Sequence, residues 1–369
     1  MTAPTGFVWH ELYMWHQTDA LAGILSPGTT VEPGLPYDGP GPKRRLKNLL
    51  DVSGLTGQLH ALAPRNATFD ELVAVHDREY VDRVRTLSEN GGGNVGPHTN
   101  VGPDGFDIAT LAVGGTIVAT EAVLSGTVRN AYALVRPSGH HAEPGLGRGL
   151  CIFNNVAAAA RTAQRTHGVD RVAIVDWDVH HGNGAEAIFA DDPSVLTISI
   201  HQDHWVPRSG AIGMNGTGAG LGTNINVPLP PGSGAGAYTY AFEQVVAPAL
   251  SRFRPGLVIV PSGFDANALD PLARMMMYSD AFRTLTRIML DVCDELCDGR
   301  LVLSQEGGYS ESYVPFVGLA VIEELSGIRT DVDDPHLAWF SGAAGQALEP
   351  HQRDRIDDAA ALVANVPAG

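Results

Sequence analysis

The sequence predicts an α/β fold built on one central, mostly parallel sheet with helices on its faces. Five short apolar segments bounded by turns recur along the chain, and runs long enough to form sheet-covering helices lie between them. Four polar clusters then fall where those strands would end, namely Arg136–His141, Asp176–Asn183, Ser262–Asp265 and Glu306–Tyr309. Open α/β sheets bind ligands beyond the carboxyl ends of their strands, so this convergence also places function on the frame.

In chain order, the expected strands are Ala131–Val135, Val172–Asp176, Val195–Ile200, Leu257–Pro261 and Leu301–Ser304. Each is a short apolar run, as burial on both faces requires. The expected helices span about 107–125, 154–167, 236–251 and 278–298. Asp107 is placed to cap the first, and Asn154-Asn155 to start the second. Phe316–Leu325 reads as a further helix and Ile356–Asn365 as a last amphipathic one. The Gly/Pro-rich stretches at 27–42, 91–105 and 208–236 contain no long charge block and read as surface loops rather than interdomain linkers. The expectation is a single catalytic domain over 1–369, with N-terminal loops and a C-terminal helical extension.

Composition narrows the function classes. With 24 Lys+Arg against 41 Asp+Glu, the formal charge of -17 opposes nonspecific attraction to nucleic acid or an anionic membrane. The Lys43-Arg44-Arg45 cluster reads as a solvated turn or helix start. Cys151, Cys293 and Cys297 are too few and too irregular for a disulfide scaffold, which fits a reduced cytoplasm; Cys293 and Cys297 share a helix face suited to burial. The N-terminus lacks a basic region followed by an apolar run, and no uninterrupted membrane-spanning segment is expected.

The chemistry lies in the polar clusters. At a strand end, Asp178 and His180 are two residues apart and would point to one side, where they can share an ion. Asp265, just after the strand beginning at Leu257, supplies a third ligand, and an Asp/His/Asp set leaves a position open for water or a substrate carbonyl on zinc. Fe(II), Co(II) or Mn(II) would also accept these donors. His140 and His141 follow a strand and the turn Pro137-Ser-Gly139; His141 is the expected general base, with His140 stabilising charge and helping to protonate the departing amine. Asp176 could hydrogen-bond His140 or hold a monovalent cation, and Asn183 could orient His141. Tyr309, after Gly307-Gly308, could donate to the substrate carbonyl as negative charge develops.

These features resemble the histone deacetylase superfamily, particularly the bacterial histone-deacetylase-like amidohydrolases and the class II branch. The resemblance rests on Arg136-Pro-Ser-Gly-His-His-Ala142, Gly149-Leu-Cys-Ile-Phe-Asn-Asn155, Asp176-Trp-Asp-Val-His-His-Gly-Asn-Gly184, Ser262-Gly-Phe-Asp-Ala266 and Gln305-Glu-Gly-Gly-Tyr309. It spans roughly residues 7 to 345. It implies an arginase-like α/β fold, Asp178, His180 and Asp265 as zinc ligands, His140 and His141 as the catalytic pair, and Tyr309 as the carbonyl-polarising residue. It also implies structural K+ near Asp176, His180 and the Ser199-Ile200 segment, hydrolysis of an acylated amine, and no NAD.

Departures fall along the substrate channel. Leu150, after Gly149, stands where the family usually has Phe, so one aromatic wall is absent. Trp205 is matched to the opposing wall, and Asn94 to a position where class II relatives often carry an Asp that grips peptide backbone. Leu272 matches the apolar choice of acyl-lysine deacetylases, whereas polyamine-selective relatives can be acidic there. An acetylpolyamine deacetylase is therefore one alternative, a small acyl amide or ester hydrolase another. An arginase-like manganese hydrolase would be expected to show further carboxylates, and a noncatalytic acyl-binding protein would not need the His140-His141-Tyr309 set. The resemblance further implies a cytoplasmic enzyme and a homo-oligomer assembled through the N-terminal loops.

Overall fold

Eight strands line up in one sheet, and every neighbouring pair is parallel. The computed structural model describes residues 3–18, 25, 28–32 and 34–369. In chain order the strands are β1 (Thr5–Val8), β2 (His60–Leu62), β3 (Gly93–Gly96), β4 (Thr99–Val101), β5 (Asn130–Ala133), β6 (Val172–Asp176), β7 (Val195–Gln202), β8 (Asn224–Leu229), β9 (Leu257–Ser262) and β10 (Leu301–Gln305). Their order across the sheet is β2-β1-β5-β10-β9-β6-β7-β8, with β3 and β4 forming a separate antiparallel hairpin.

Period-two alternation explains why the central strands look uniformly apolar. Val172 and Ile174 of β6 and Leu257 and Ile259 of β9 enter one core, while Ala173 and Val175, and Val258 and Val260, enter the other. Helices Gly105–Leu124 and Asn155–His167 cover the first face. Helices Gly41–Val52, Ser279–Cys297, Val314–Ser326 and Pro350–Ala360 belong to the second. Cys293 and Cys297 are buried on that second face, consistent with a packing role.

Several expectations need correction. Glycine and proline do not make 91–105 and 208–236 wholly loop: the first contains the β3–β4 hairpin and the second contains buried β8. Pro228 is tolerated because β8 is an edge strand, where a missing ladder donor costs little. Within 27–42, residues 27 and 33 lie outside the described residues, as do 19–24 and 26 of the N-terminal segment. Asp107 does not cap its helix, which begins at Gly105 after Asp104 in a left-handed conformation (φ 58°). Asn154 does cap the next, its side chain accepting from Ala157 N. The helix expected at 236–251 is interrupted by a π turn, Phe242–Val246.

Lys43 starts a helix but is not solvated; it is buried, with its Nζ 3.8 Å from buried Asp38, and Arg136 contacts the same carboxylate at 3.4 Å. Helix Gly105–Leu124 is long and apolar enough to cross a membrane by length and composition alone. Its strongest 18-residue window is 78% buried, which accounts for its hydropathy as that of a core helix.

Candidate metal centre and active site

Sheet order brings the polar clusters together. The segments following β5, β10, β9 and β6 carry Arg136–His141, Glu306–Tyr309, Gly263–Asp265 and Trp177–Asn183, and these four strands are consecutive neighbours in the sheet. Residues far apart in sequence therefore meet at one carboxyl edge.

Asp178, His180 and Asp265 converge there, all buried, with one potential ligand atom from each within 4.8 Å of the others. His180 Nδ1 lies 3.1 Å from Asp178 Oδ1 and 3.0 Å from Asp265 Oδ2. Tetrahedral bonds of about 2.0–2.1 Å set neighbouring donors roughly 3.3 Å apart, so the set fits a zinc-sized ion. Strand β6 ends at Asp176, so Asp178 and His180 do not project from an extended strand as expected. They meet through a tight loop in which Asp178 Oδ1 accepts His180 N at 2.9 Å.

Backbone donors fix the carboxylates. Gly307 N donates to Asp178 Oδ2 at 2.8 Å, and Val179 N to Asp265 Oδ1 at 2.8 Å. The close approach explains Gly307: a Cβ there would lie 2.1 Å from Asp265 Oδ2. Burial pushes Asp178 up, but the His140 charge and the His180 bonds and charge leave it held below the ordinary aspartate range. Asp265 is pushed up to about 6 by burial and by Asp178, with His180 opposing.

The two histidines have different partners and opposite electrostatics. His140 Nδ1 faces Asp176 Oδ2 at 2.8 Å; burial would lower its imidazole, yet Asp178 and Asp176 raise it well above the usual histidine value. His141 Nδ1 faces Asn183 Oδ1 at 2.7 Å, and Asn183 Nδ2 donates to Glu143 at 2.8 Å. That second bond fixes the amide, so His141 donates from Nδ1 and keeps a lone pair on Nε2. Burial, then the His140 and His180 charges, hold His141 well below the ordinary range. One imidazole is biased toward the cation and its neighbour toward the neutral base, the division acid–base chemistry requires.

Tyr309 lines a cavity of ≈ 90 Å³ with His141, His180, Gly149, Leu150, Trp205, Val206, Leu272 and His98. Burial, then the Asp265 and Asp178 charges, raise its hydroxyl well above the usual tyrosine value, which keeps it a proton donor. Four expected channel residues, Gly149, Leu150, Trp205 and Leu272, thus line it. Asn94 does not: its amide donates to Gly96 O, Thr99 O and Asn100 Oδ1 inside the β3–β4 hairpin, and it is absent from the cavity wall. The hairpin's turn instead presents His98, a residue that sequence matching passed over.

Ser199 pairs in register with Asp176 across β6 and β7, and Ile200 follows it, buried. Both Asp176 oxygens already accept hydrogen bonds, from His140 and from Asp178 N. Glu306, placed in its polar cluster by the sequence but given no role there, accepts Gly139 N at 2.6 Å and His140 N at 3.1 Å through Oε2, and burial pushes it up to about 7. Its position next to Gln305 at the end of β10 was the available signal.

Against known proteins, the histone deacetylase domain model matches residues 40–325. The chain belongs to the histone deacetylase family. It is 47% identical over 374 residues to the histone deacetylase-like amidohydrolase of Pseudomonas aeruginosa, covering 100% of this chain and 98% of that one. It is also 39% identical over 268 residues to the polyamine deacetylase HDAC10 of Mus musculus, covering 69% of this chain and 40% of the relative. The crystal structure of the HDA15 HD domain superposes with a TM-score of 0.86 at 31% identity, covering 98% of this chain and 95% of that domain. The enzyme is therefore an amide hydrolase of this family, and its parallel-sheet architecture is the family's.

Proposed function

We propose that this enzyme is a zinc-dependent deacylase of acyl-lysine-like or small N-acyl substrates. The observation that carries the reading is an Asp/His/Asp donor set beside one cavity whose wall holds His141, His180 and Tyr309, with the His140 and His141 imidazoles pushed in opposite directions.

Asp178, His180 and Asp265 would hold the metal, which when bound supplies Lewis acidity to the substrate carbonyl and acidifies a water molecule. His141, neutral and oriented by Asn183, takes a proton at Nε2 from the attacking water. Tyr309 donates its hydroxyl to the carbonyl oxygen as charge develops. His140, kept cationic by Asp176, stabilises that charge and helps deliver a proton to the departing amine. Hydrolysis then yields a carboxylate and a free amine. K+ beside Asp176, His180, Ser199 and Ile200 would brace this floor through backbone carbonyls.

The cavity wall favours an uncharged neck over a polyamine. Among the described residues its wall holds no carboxylate, Asp178 and Asp265 being committed to the metal set, while Leu150, Trp205, Val206 and Leu272 make its sides apolar. A protonated secondary amine would lose water there without a counter-charge. The acidic whole-chain balance gives no support to nucleic-acid binding. Residues 1–369 are taken as one catalytic unit in a cytoplasmic homo-oligomer; exposed Trp15 (64%) and Leu35 (89%) near the N-terminus support association there, which light scattering would check.

The test is hydrolysis by zinc-loaded enzyme of matched acetyl-lysine peptides, acetylpolyamines and small acyl amides, with metal-free enzyme and Tyr309→Phe as controls. Selective turnover of acetyl-lysine or small acyl amides, lost in both controls, is expected. Preference for acetylpolyamines would overturn the substrate assignment, and equal activity without metal would overturn the mechanism.

A further inference from the structure

His181 sits in the Asp-Val-His-His segment yet has no part in the chemistry above. Its ring faces away from the metal donors: Nε2 lies 3.2 Å from Glu186 Oε2 and Nδ1 lies 2.7 Å from Ser209 Oγ. Glu186 Oε2 also accepts Asn224 and Asn226 side-chain donors, at 2.6 and 2.7 Å, so the His181 ring is braced from behind. A second imidazole, His201 at the end of β7, lies beside it with ring centroids 4.8 Å apart. His201 Nε2 meets Gly210 O at 3.1 Å, and its Nδ1 meets Ser199 Oγ at 2.9 Å.

The segment resting on this pair runs from Asp203 to Thr223 and contains only one short 3-10 turn, Gly218–Gly220. Long connections of this kind are mobile unless tied down. It carries Trp205 and Val206, which form one wall of the cavity. Trp205 is tied at its indole, Nε1 donating to Leu272 O at 2.7 Å. A few residues on, Ser209 and Gly210 are tied to His181 and His201. Gly210 has φ +84°, and a Cβ there would lie 2.5 Å from His201 Nε2 and 2.7 Å from His181 Cδ2, so only glycine lets the backbone lie on the rings.

We infer that His181, His201, Ser209 and Gly210 are positioning residues: the imidazole pair is a pedestal that couples the metal-donor loop to the Trp205 wall and so sets the shape of the cavity mouth. The inference rests on the proposed reading only in taking the cavity as the substrate's. Ser209 and Gly210 touch neither the donor atoms nor the cavity, so disturbing them should loosen the wall and leave the floor intact.

The experiment compares zinc-loaded wild type, Ser209→Ala, Ser209→Thr and Gly210→Ala by amide hydrogen exchange over 203–214, by zinc affinity from chelator competition, and by kinetics on an acetyl-lysine peptide. Ser209→Ala should raise KM about fivefold, the worth of one neutral hydrogen bond, with kcat within about twofold and unchanged zinc affinity. Exchange over 203–214 should quicken, Ser209→Thr should restore both, and Gly210→Ala should exceed Ser209→Ala in both. Unchanged exchange in Ser209→Ala and Gly210→Ala would overturn the pedestal, as would a fall in kcat accompanied by weakened zinc binding. Exchange is readable without turnover: a wild type inactive on every substrate would sink the proposed function, while the exchange data would still decide the pedestal.

Discussion

The floor of the cavity and its mouth are built on opposite principles. At the floor, Asp176, Asp178, His140, His141, His180 and Asp265 are all buried, and nearly every polar atom is fixed by a second group. At the mouth, His98 and Val206 are exposed, Trp205 is half-exposed, and the walls are apolar side chains on connecting segments. Electrostatic preorganisation needs burial and fixed dipoles, whereas admission of different necks needs a wall that can be re-sized. Rate should therefore be governed by strand ends and selectivity by loops.

The strongest way to break that division is to remove a floor donor. Asp178→Ala should abolish stoichiometric zinc binding and lower kcat/KM by about 10³-fold or more, a loss of at least about 4 kcal/mol of charge stabilisation. Isothermal titration with zinc alongside steady-state kinetics checks it; retained zinc with lost activity would make Asp178 a catalytic rather than a ligating group. Tyr309→Phe comes next, with kcat expected to fall about 10²- to 10³-fold while KM changes little, as for a donor used mainly in the transition state. A rise in KM alone would move Tyr309 from the floor to the wall.

Asn183→Asp sharpens the electrostatic side. His141 is depressed first by burial and then by the His140 and His180 charges, which favours its neutral, basic form. A carboxylate placed at the 2.7 Å contact favours the imidazolium and should raise its pKa. Because the base must be neutral, the acid limb of kcat/KM should move to higher pH; a shift to lower pH would contradict the role. At the mouth, Leu150→Phe should change KM for an acetyl-lysine peptide by about tenfold, with kcat nearly preserved, since methylene-scale changes in a pocket are worth about 1–3 kcal/mol. The smallest effect is expected from Asn94→Ala: its amide is spent within the hairpin, so KM should stay within about twofold and stability should fall by about 1 kcal/mol.

How much of this was readable in the sequence follows the same division. The donor triad, the histidine pair and Tyr309 sit a few residues beyond mostly apolar runs, because burial on both faces keeps the central strands largely free of charge until near their ends. Val172–Asp176 was read to the residue for that reason. β8 was lost because an edge strand tolerates the Asn and Pro of Asn224–Leu229, and β1 and β2 because three- and four-residue strands carry too little pattern. Asn94 turns its amide into the hairpin, and His98 was missed because it sits in the short turn between β3 and β4, which sequence pattern does not place beside the cavity. Lys43 looked solvated in a basic triplet; its burial depends on Asp38 and Arg136, which only the fold brings to it. The pedestal under Trp205 joins segments that only the sheet order makes adjacent.

The most direct test is turnover of an acetyl-lysine peptide by metal-stripped enzyme before and after one equivalent of Zn2+ is returned. Activity should be absent from the stripped protein and return in full at one equivalent in wild type, with no recovery in Asp178→Ala. Undiminished turnover by the stripped enzyme, or recovery in Asp178→Ala, would contradict a metal-dependent floor held by Asp178, His180 and Asp265.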